Sequence, residues 1–205
     1  MSQVKLTIVY YSSTGTNYQM ALAAKAAAEA AGAEVRLRKV AELAPDAAID
    51  SNPAWRAHVN ATRDVPVVSP ADMEWANAYL FGTPTRYGNV ASQMKQFIDT
   101  LSGLWLRGSL SNKPVAAFTS AMNVHGGQES TLLALYHTFY HWGSIIVPPG
   151  YTDPAFYAAG GNPYGVSATA DPQQPEVAEA TLEAVRVMTR RLVQVAGWLL
   201  KGQTA

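Results

Sequence analysis

Residues Ser12-Ser13-Thr14-Gly15-Thr16-Asn17 form the first run in this chain that can do chemistry. They follow the apolar stretch Leu6–Tyr11 and precede an alanine-rich segment, so they read as a strand-to-helix turn. The turn holds hydroxyls, an amide and one glycine, and neither Lys nor Arg. A helix N-terminus has unpaired N–H groups and a partial positive charge, so it can hold a phosphate without a counter-ion. There is no Gly-Lys-Ser/Thr, which excludes a P-loop, and no G-x-G-x-x-G, which excludes the dinucleotide fingerprint. A single phosphate monoester, as in FMN, suits such a loop. An ordinary Ser/Thr/Gly turn capping a helix is the competing reading.

A second turn, Gly82-Thr83-Pro84-Thr85-Arg86-Tyr87-Gly88-Asn89, follows another apolar strand. Pro84 and Gly88 constrain its backbone, whose N–H groups can meet the edge of a flat heterocycle. Tyr87 can cover a ring face. Arg86 can place positive charge near the pyrimidine end of a flavin, where charge collects on two-electron reduction. The alternative is a strand-to-helix loop with an exposed arginine. The third turn runs from Thr119 to Glu129 through Ser120, Ala121, Met122, Asn123, Val124, His125, Gly126 and Gly127.

The elements that must position these turns alternate along the chain. Leu6–Tyr11 reads as strand. Residues 16–31 read as helix, with eight alanines from Ala21 to Ala31 and Gly32 as a stop. Glu34–Lys39 is a short strand. Residues 41–70 contain Pro45, Pro53, Pro66 and Pro70 and read as an irregular excursion. Ala78–Gly82 is a strand ending at Thr83-Pro84, and Asn89 is a helix cap ahead of residues 91–102. Pro114–Thr119 is a strand, Gln128–Trp142 a helix and Ser144–Val147 a final strand. Residues 150–174 read as a loop, and a last helix starts near Pro175. Five strands alternating with helices predict an α/β fold, a doubly wound parallel sheet with helices on both faces. In such sheets ligands bind beyond the carboxyl ends of the strands. The whole chain, 1–205, reads as one domain.

Composition narrows the classes. The 205 residues carry 15 basic and 15 acidic side chains, with formal net charge +0. That argues against nucleic acid or an anionic membrane as the main partner. The absence of cysteine removes disulfides, thiolate catalysis and Cys-ligated metals together. No signal pattern or membrane-length apolar run is present, so a cytoplasmic protein is expected. His137 and His141 have the i, i+4 spacing of a zinc pair, but Thr138-Phe139-Tyr140 between them lacks the zincin glutamate, and no metal is expected. No catalytic triad or carboxylate pair can be defended, which fits chemistry carried by a cofactor.

Thr83–Asn89, Gly103-Leu104-Trp105, Gly126-Gly127-Gln128-Glu129, His141 and Gly160-Gly161-Asn162-Pro163-Tyr164-Gly165 together resemble the WrbA family, flavodoxin-like NAD(P)H:quinone oxidoreductases. The resemblance covers nearly the whole chain in order. It implies FMN, a five-stranded sheet in flavodoxin order 2-1-3-4-5, a homotetramer, and two-electron reduction of quinones by NADH or NADPH. By position, Ser12 through Asn17 would hold the FMN phosphate, and Thr85, Arg86 and Tyr87 would line the ring. Ser120 onward would support the ribityl chain. His141 would reach the flavin across a subunit boundary, and Trp105 would join Tyr87 around the quinone. Thr14 stands where many members carry an aromatic, and the third turn is one residue longer than usual. The lack of a separate dinucleotide fingerprint favours one shared site and ping-pong kinetics. The alternative is a flavodoxin-type one-electron carrier, a class usually strongly acidic, whereas this chain is neutral. A signalling receiver domain is excluded, because the acidic cluster and the aspartate it needs are replaced by Tyr11-Ser12-Ser13 and Gly82-Thr83-Pro84.

Overall fold

The computed structural model describes residues 3–171 and 176–202. Strand β1 (Lys5–Tyr10) leads into helix α1 (Thr16–Ala30), followed by β2 (Glu34–Lys39). Three short helices come next: α2 (Asp46–Asp50), α3 (Pro53–Ala61) and α4 (Pro70–Trp75). Strands β3 (Ala78–Arg86) and β4 (Asn89–Val90) precede α5 (Ser92–Asp99) and α6 (Ser102–Leu106). The chain continues with β5 (Pro114–Ala121), α7 (Gln128–Trp142), β6 (Ile145–Ile146) and α8 (Pro154–Ala158). It ends with β7 (Val166–Thr169) and α9 (Glu179–Gly202). The expected start of the last helix near Pro175 lies outside the described residues.

Five strands form a parallel path in the order β2-β1-β3-β5-β6. With the small strand β4 set aside, this is the flavodoxin order read from the sequence. Alternation along the central strands divides the core. Leu6, Ile8, Leu80, Ala116 and Phe118 pack with Met20 and Ala24 of α1 and Met188 and Leu192 of α9. Val9, Tyr79, Phe81, Val115 and Ala117 face the other way, onto Met94 and Ile98 of α5 and Leu132, Leu135 and Phe139 of α7. Every residue of β5 is buried, as a strand covered on both faces requires. Edge strand β2 instead carries Arg36, Arg38 and Lys39, charges that discourage pairing with another chain.

The alanines of α1 leave no bulk to hold it away from its neighbours. Its end is a Schellman motif: Gly32 (φ 84°) donates to Glu29 O at 2.9 Å and Ala33 to Ala28 O at 3.0 Å.

Two segments differ from their sequence reading. The 41–70 excursion is helical in three pieces, because its prolines start helices as well as break strands. Pro53 and Pro70 sit in the first turns of α3 and α4, behind Asn52 and the Ser69–Asp72 capping box. The fifth strand is split. β6 pairs with Pro114 and Val115, and β7 resumes the same edge beside Phe118–Ala121 after an excursion through α8. Gly165 marks the re-entry, where a Cβ would lie 2.3 Å from Ala117 O.

Gly82 pairs with Phe118 across β3 and β5, and a Cβ there would lie 2.2 Å from the Phe118 ring. Gly82→Ala is therefore expected to destabilise the protein by about 1–3 kcal/mol through overpacking. Urea unfolding measures this. An unchanged midpoint would show that the ring moves aside freely.

Candidate functional site

The register of the parallel strands brings the three turns to one sheet edge. Tyr10 stands beside Gly82, Gly82 beside Phe118, and Pro84 beside Ser120. Two hydrogen bonds then join the ends. Tyr11 N donates to Gly82 O at 2.9 Å, and Asn17 Nδ2 donates to Ser120 Oγ at 3.1 Å.

Within the first turn, Ser12 Oγ accepts from Gly15 N at 3.0 Å, which curls the chain back on itself. Gly15 is the N-cap of α1 at φ 105°, a conformation suited to glycine. No side chain caps this helix and its first turn contains no acid. Its opening N–H groups and partial positive charge therefore have no partner inside the chain's own cap. Asn17 is 1% exposed and its Oδ1 has no hydrogen-bond partner among the described residues. A half-turn of the amide would let the Ser120 hydroxyl donate to Oδ1 and free the NH2 as a donor.

The second turn is a hairpin rather than a loop. β3 runs on to Arg86, and β4 returns antiparallel with Arg86 opposite Asn89. Asn89 thus pairs in a strand and is not the helix cap expected from the sequence; α5 begins at Ser92, after Ala91. Between them Tyr87 (φ 53°) and Gly88 (φ 77°) are both left-handed, as a two-residue type I′ turn demands. Glycine accepts this readily, but tyrosine is strained there. The Tyr87 side chain is 101% exposed, so no packing inside the chain explains the strain. Arg86 Nη2 reaches Ser13 Oγ at 3.4 Å, bridging the first and second turns.

Thr85 and Gly127 lock the second turn to the third. Thr85 Oγ1 accepts from Gly88 N at 3.1 Å and from Thr131 Oγ1 at 2.8 Å. Ser130 Oγ donates to Gly88 O at 3.0 Å. A Cβ on Gly127 would sit 2.6 Å from Gly88 Cα, so only glycine permits this approach. β5 extends to Ala121, leaving Ser120 and Ala121 buried at the strand end. Met122 and Val124 project from the turn into solvent, and Asn123 O accepts from Gly126 N at 3.0 Å.

Trp105 and His141 are not near these turns in their own chain. α7 starts at the turn edge and runs 15 residues away from it, about 20 Å. His141 therefore lies at the opposite edge, where Trp105 Nε1 donates to its carbonyl oxygen at 2.8 Å. No group of metal-ligating side chains suited to an ion occurs among the described residues, His137 and His141 included.

Sequence reasoning missed the wall behind the first turn. A cavity of ≈ 60 Å³ is lined there by Tyr10, Ser12, Lys39, Glu42 and His58, among others. Burial pushes the Glu42 carboxyl up, but donors from Ala44 N, Gln93, Tyr11 and Leu43 N outweigh it and hold the group below the usual carboxylate range. Burial, reinforced by the neighbouring Lys39, holds the His58 imidazole below the usual histidine range. No local signal could have tied residue 58 to residue 15, since the link exists only through the fold.

Comparisons with known proteins place the chain in a family. Residues 5–156 match the NADPH-dependent FMN reductase family. An NAD(P)H dehydrogenase (quinone) of Deinococcus radiodurans is 54% identical over 197 residues, covering 96% of this chain and 98% of the relative. One from Aromatoleum aromaticum is 38% identical, covering 98% and 100%. Among solved structures, a WrbA-like flavodoxin protein from Agrobacterium tumefaciens superposes with TM-score 0.66 at 23% identity, covering 96% of this chain and 99% of that one.

The hairpin makes a direct prediction. Tyr87→Gly relieves a left-handed strain of about 1–2 kcal/mol, offset in part by glycine's greater freedom in the unfolded chain. The ligand-free protein is expected to gain about 0.5–1 kcal/mol of stability. A loss of stability in thermal or urea unfolding would mean that Tyr87 makes stabilising contacts in solution.

Proposed function

The chain belongs to the NADPH-dependent FMN reductase family, and from that premise we propose that it is an NAD(P)H:quinone oxidoreductase working through bound FMN. The observation that carries the reading is the first turn of α1, which has neither a capping side chain nor an acid and contains the buried, unpartnered Asn17 Oδ1. Such a turn fits one phosphate monoester. When bound, FMN accepts an electron pair from NADH or NADPH and passes it to a quinone.

The chain's own residues supply position and electrostatics. Ser12, Ser13, Thr14, Gly15, Thr16 and Asn17 would hold the phosphate by backbone and side-chain donors. Pro84, Thr85, Arg86, Tyr87 and Gly88 would bound the ring, with Arg86 supplying positive charge there. Ser120, Ala121, Met122, Asn123, Gly126 and Gly127 would flank the ribityl chain and the ring edge. The rigid links among Thr85, Gly88, Gly127 and Thr131 support this assignment, since preorganised donors need no rearrangement when charge develops. The chain's neutral charge gives the electron-carrier alternative no support.

We also read the protein as a homotetramer of single-domain chains. The remoteness of Trp105 and His141 from the turns of their own chain supports a role in a site on another copy. Exposed Leu106 and Tyr140, and the stacked pair Tyr151–Tyr157 with ring centroids 5.0 Å apart, are apolar surface suited to subunit contacts. No helix among the described residues is long and apolar enough to cross a membrane. The absence of cysteine supports a cytoplasmic setting.

The test begins with the flavin. Chromatography of released cofactor should identify FMN, and double-reciprocal plots at several benzoquinone concentrations should be parallel. Negligible flavin reduction by both NADH and NADPH would overturn the enzyme reading. Ser12→Ala and Thr14→Ala should each weaken FMN binding by about 1.5–3 kcal/mol, the value of a hydrogen bond to a charged group. Titration of the apoprotein measures this, and unchanged affinity in both would return the turn to a purely structural role. Light scattering checks assembly: a fully active monomer would remove Trp105 and His141 from the site.

A further inference from the structure

Resting on the reading that the first turn holds the phosphate of FMN, we propose that His58 is a positioning residue for that phosphate and takes up a proton as the dianion seats. The turn itself has no cation. A helix N-terminus offers only about half an elementary charge, far short of balancing a phosphate dianion. The fold brings further charge from behind. A methyl group on Gly15 would lie 3.6 Å from His58 Nδ1, so the imidazole stands a methyl group's width from the N-cap glycine of α1. His58 and Ser12 line the same cavity of ≈ 60 Å³.

Independent evidence that this wall is built for a ligand comes from Tyr10. It is 1% exposed, it lines that cavity, and its hydroxyl has no hydrogen-bond partner among the described residues. Leaving a buried hydroxyl unpaired costs about 1–3 kcal/mol, so a group or ordered water that answers it is expected. The wall is otherwise well ordered. Tyr10 stacks on Tyr18 at 5.4 Å, and Tyr18 meets the His58 ring at 5.5 Å.

The charged and titratable groups around His58 come from every neighbouring element. Lys39, at the end of β2, donates from Nζ to Thr62 O at 2.5 Å and feels Asp64. Glu42 lines the cavity, but its carboxylate is already engaged by Tyr11, Trp55 and Gln93. Burial pushes the Tyr10 hydroxyl well above the usual tyrosine range, so it carries no charge at neutral pH. Arg86 reaches the turn through Ser13. In the ligand-free protein, burial and then Lys39 disfavour the imidazolium. A dianion at the turn reverses the sign of the local field. The bound-state pKa then exceeds the free-state one, and binding draws in a proton. FMN affinity gains from this as pH falls through the window between the two values, and the gain is level outside it. Each unit of separation is worth a factor of about ten in affinity. The phosphate's own second ionisation, near about pH 6, acts in the opposite direction, so the wild-type curve must be read against a variant.

The decisive measurement needs no variant. Imidazole resonances of His58 are followed through pH in the apoprotein, then with FMN, with inorganic phosphate and with riboflavin. The His58 pKa should rise by about one unit or more with FMN, rise with inorganic phosphate, and stay put with riboflavin, which lacks the phosphate. Calorimetry in buffers of different ionisation heat should find proton uptake on FMN binding near pH 7. That uptake should disappear in His58→Asn, whose FMN affinity should fall several-fold, while His58→Lys should keep affinity without taking up a proton. A His58 pKa identical in the free and FMN-bound protein overturns the proposal. So does wild-type proton uptake in His58→Asn. Failure to bind FMN at any pH is a different result: it removes the cofactor reading, and this inference with it.

Discussion

The structure turns on a helix whose first N–H groups meet no capping side chain among the described residues. Helix α1 begins at Gly15 with no capping side chain and no acid in its first turn. Three other helices carry side-chain caps. Asn52 accepts from two N–H groups at the start of α3, Ser69 and Asp72 form a capping box on α4, and Asp153 caps α8. Helices α5 and α6 also begin with neither a capping side chain nor an acid; the bare end of α1 is marked by its place, where β1, β3 and β5 deliver their ends, and by the buried Asn17 in its first turn. An uncapped, electropositive helix end is one that an external anion can satisfy.

The parts around that end are stiff for reasons that can be named. The Gly127–Gly88 approach tolerates no side chain, and Thr85 is held by hydrogen bonds from both the hairpin and α7. Such locking fixes the hairpin in a conformation that strains Tyr87. A tyrosine that is left-handed and fully exposed contributes nothing visible to the stability of the isolated chain. Strain without local return is the expected mark of a side chain kept for what it meets outside the chain.

Much of this was legible in the sequence, and the failures have physical causes. The central strands declared themselves because burial on both faces makes them continuously apolar, as in Ala78–Gly82 and Pro114–Thr119. The turns followed from the strands. The 41–70 excursion was misread because a proline signals both a broken element and the start of a helix; Pro53 and Pro70 were the latter. Asn89 was misread because asparagine caps helices and also flanks tight hairpins, and only the pairing of Arg86 with Asn89 decides between them. β6 falls inside the strand read at Ser144–Val147, but the four residues of β7 are too few to show a period, and the stretch between the two hid that they continue one edge. His58, Lys39 and Glu42 were invisible for a deeper reason. Their relation to the first turn is long-range, and nothing in the residues beside them encodes it.

The candidate site is also uneven from end to end, and that unevenness bears on its chemistry. At the α1 end, Gly15, Asn17 and Ser120 are buried, the turns are cross-linked, and a wall from β2 and α3 stands behind. At the hairpin end, Tyr87, Met122 and Val124 lie open to solvent. A ligand spanning both would be gripped by its phosphate and left accessible at its ring. This suits a resident cofactor served by exchanging partners, since the grip and the reacting surface lie on different residues. No dinucleotide fingerprint exists in the chain, so a nicotinamide donor and a quinone acceptor would have to use that same open end in turn. Sequential use of one surface requires that each partner leave readily, and flat aromatic stacking on an uncrowded ring provides contact without a deep enclosing pocket. Residues from the far edge of another copy could close that surface without obstructing the phosphate end. On the assembly proposed above, the fold would supply the phosphate grip, and a second copy would supply the walls that select the substrate.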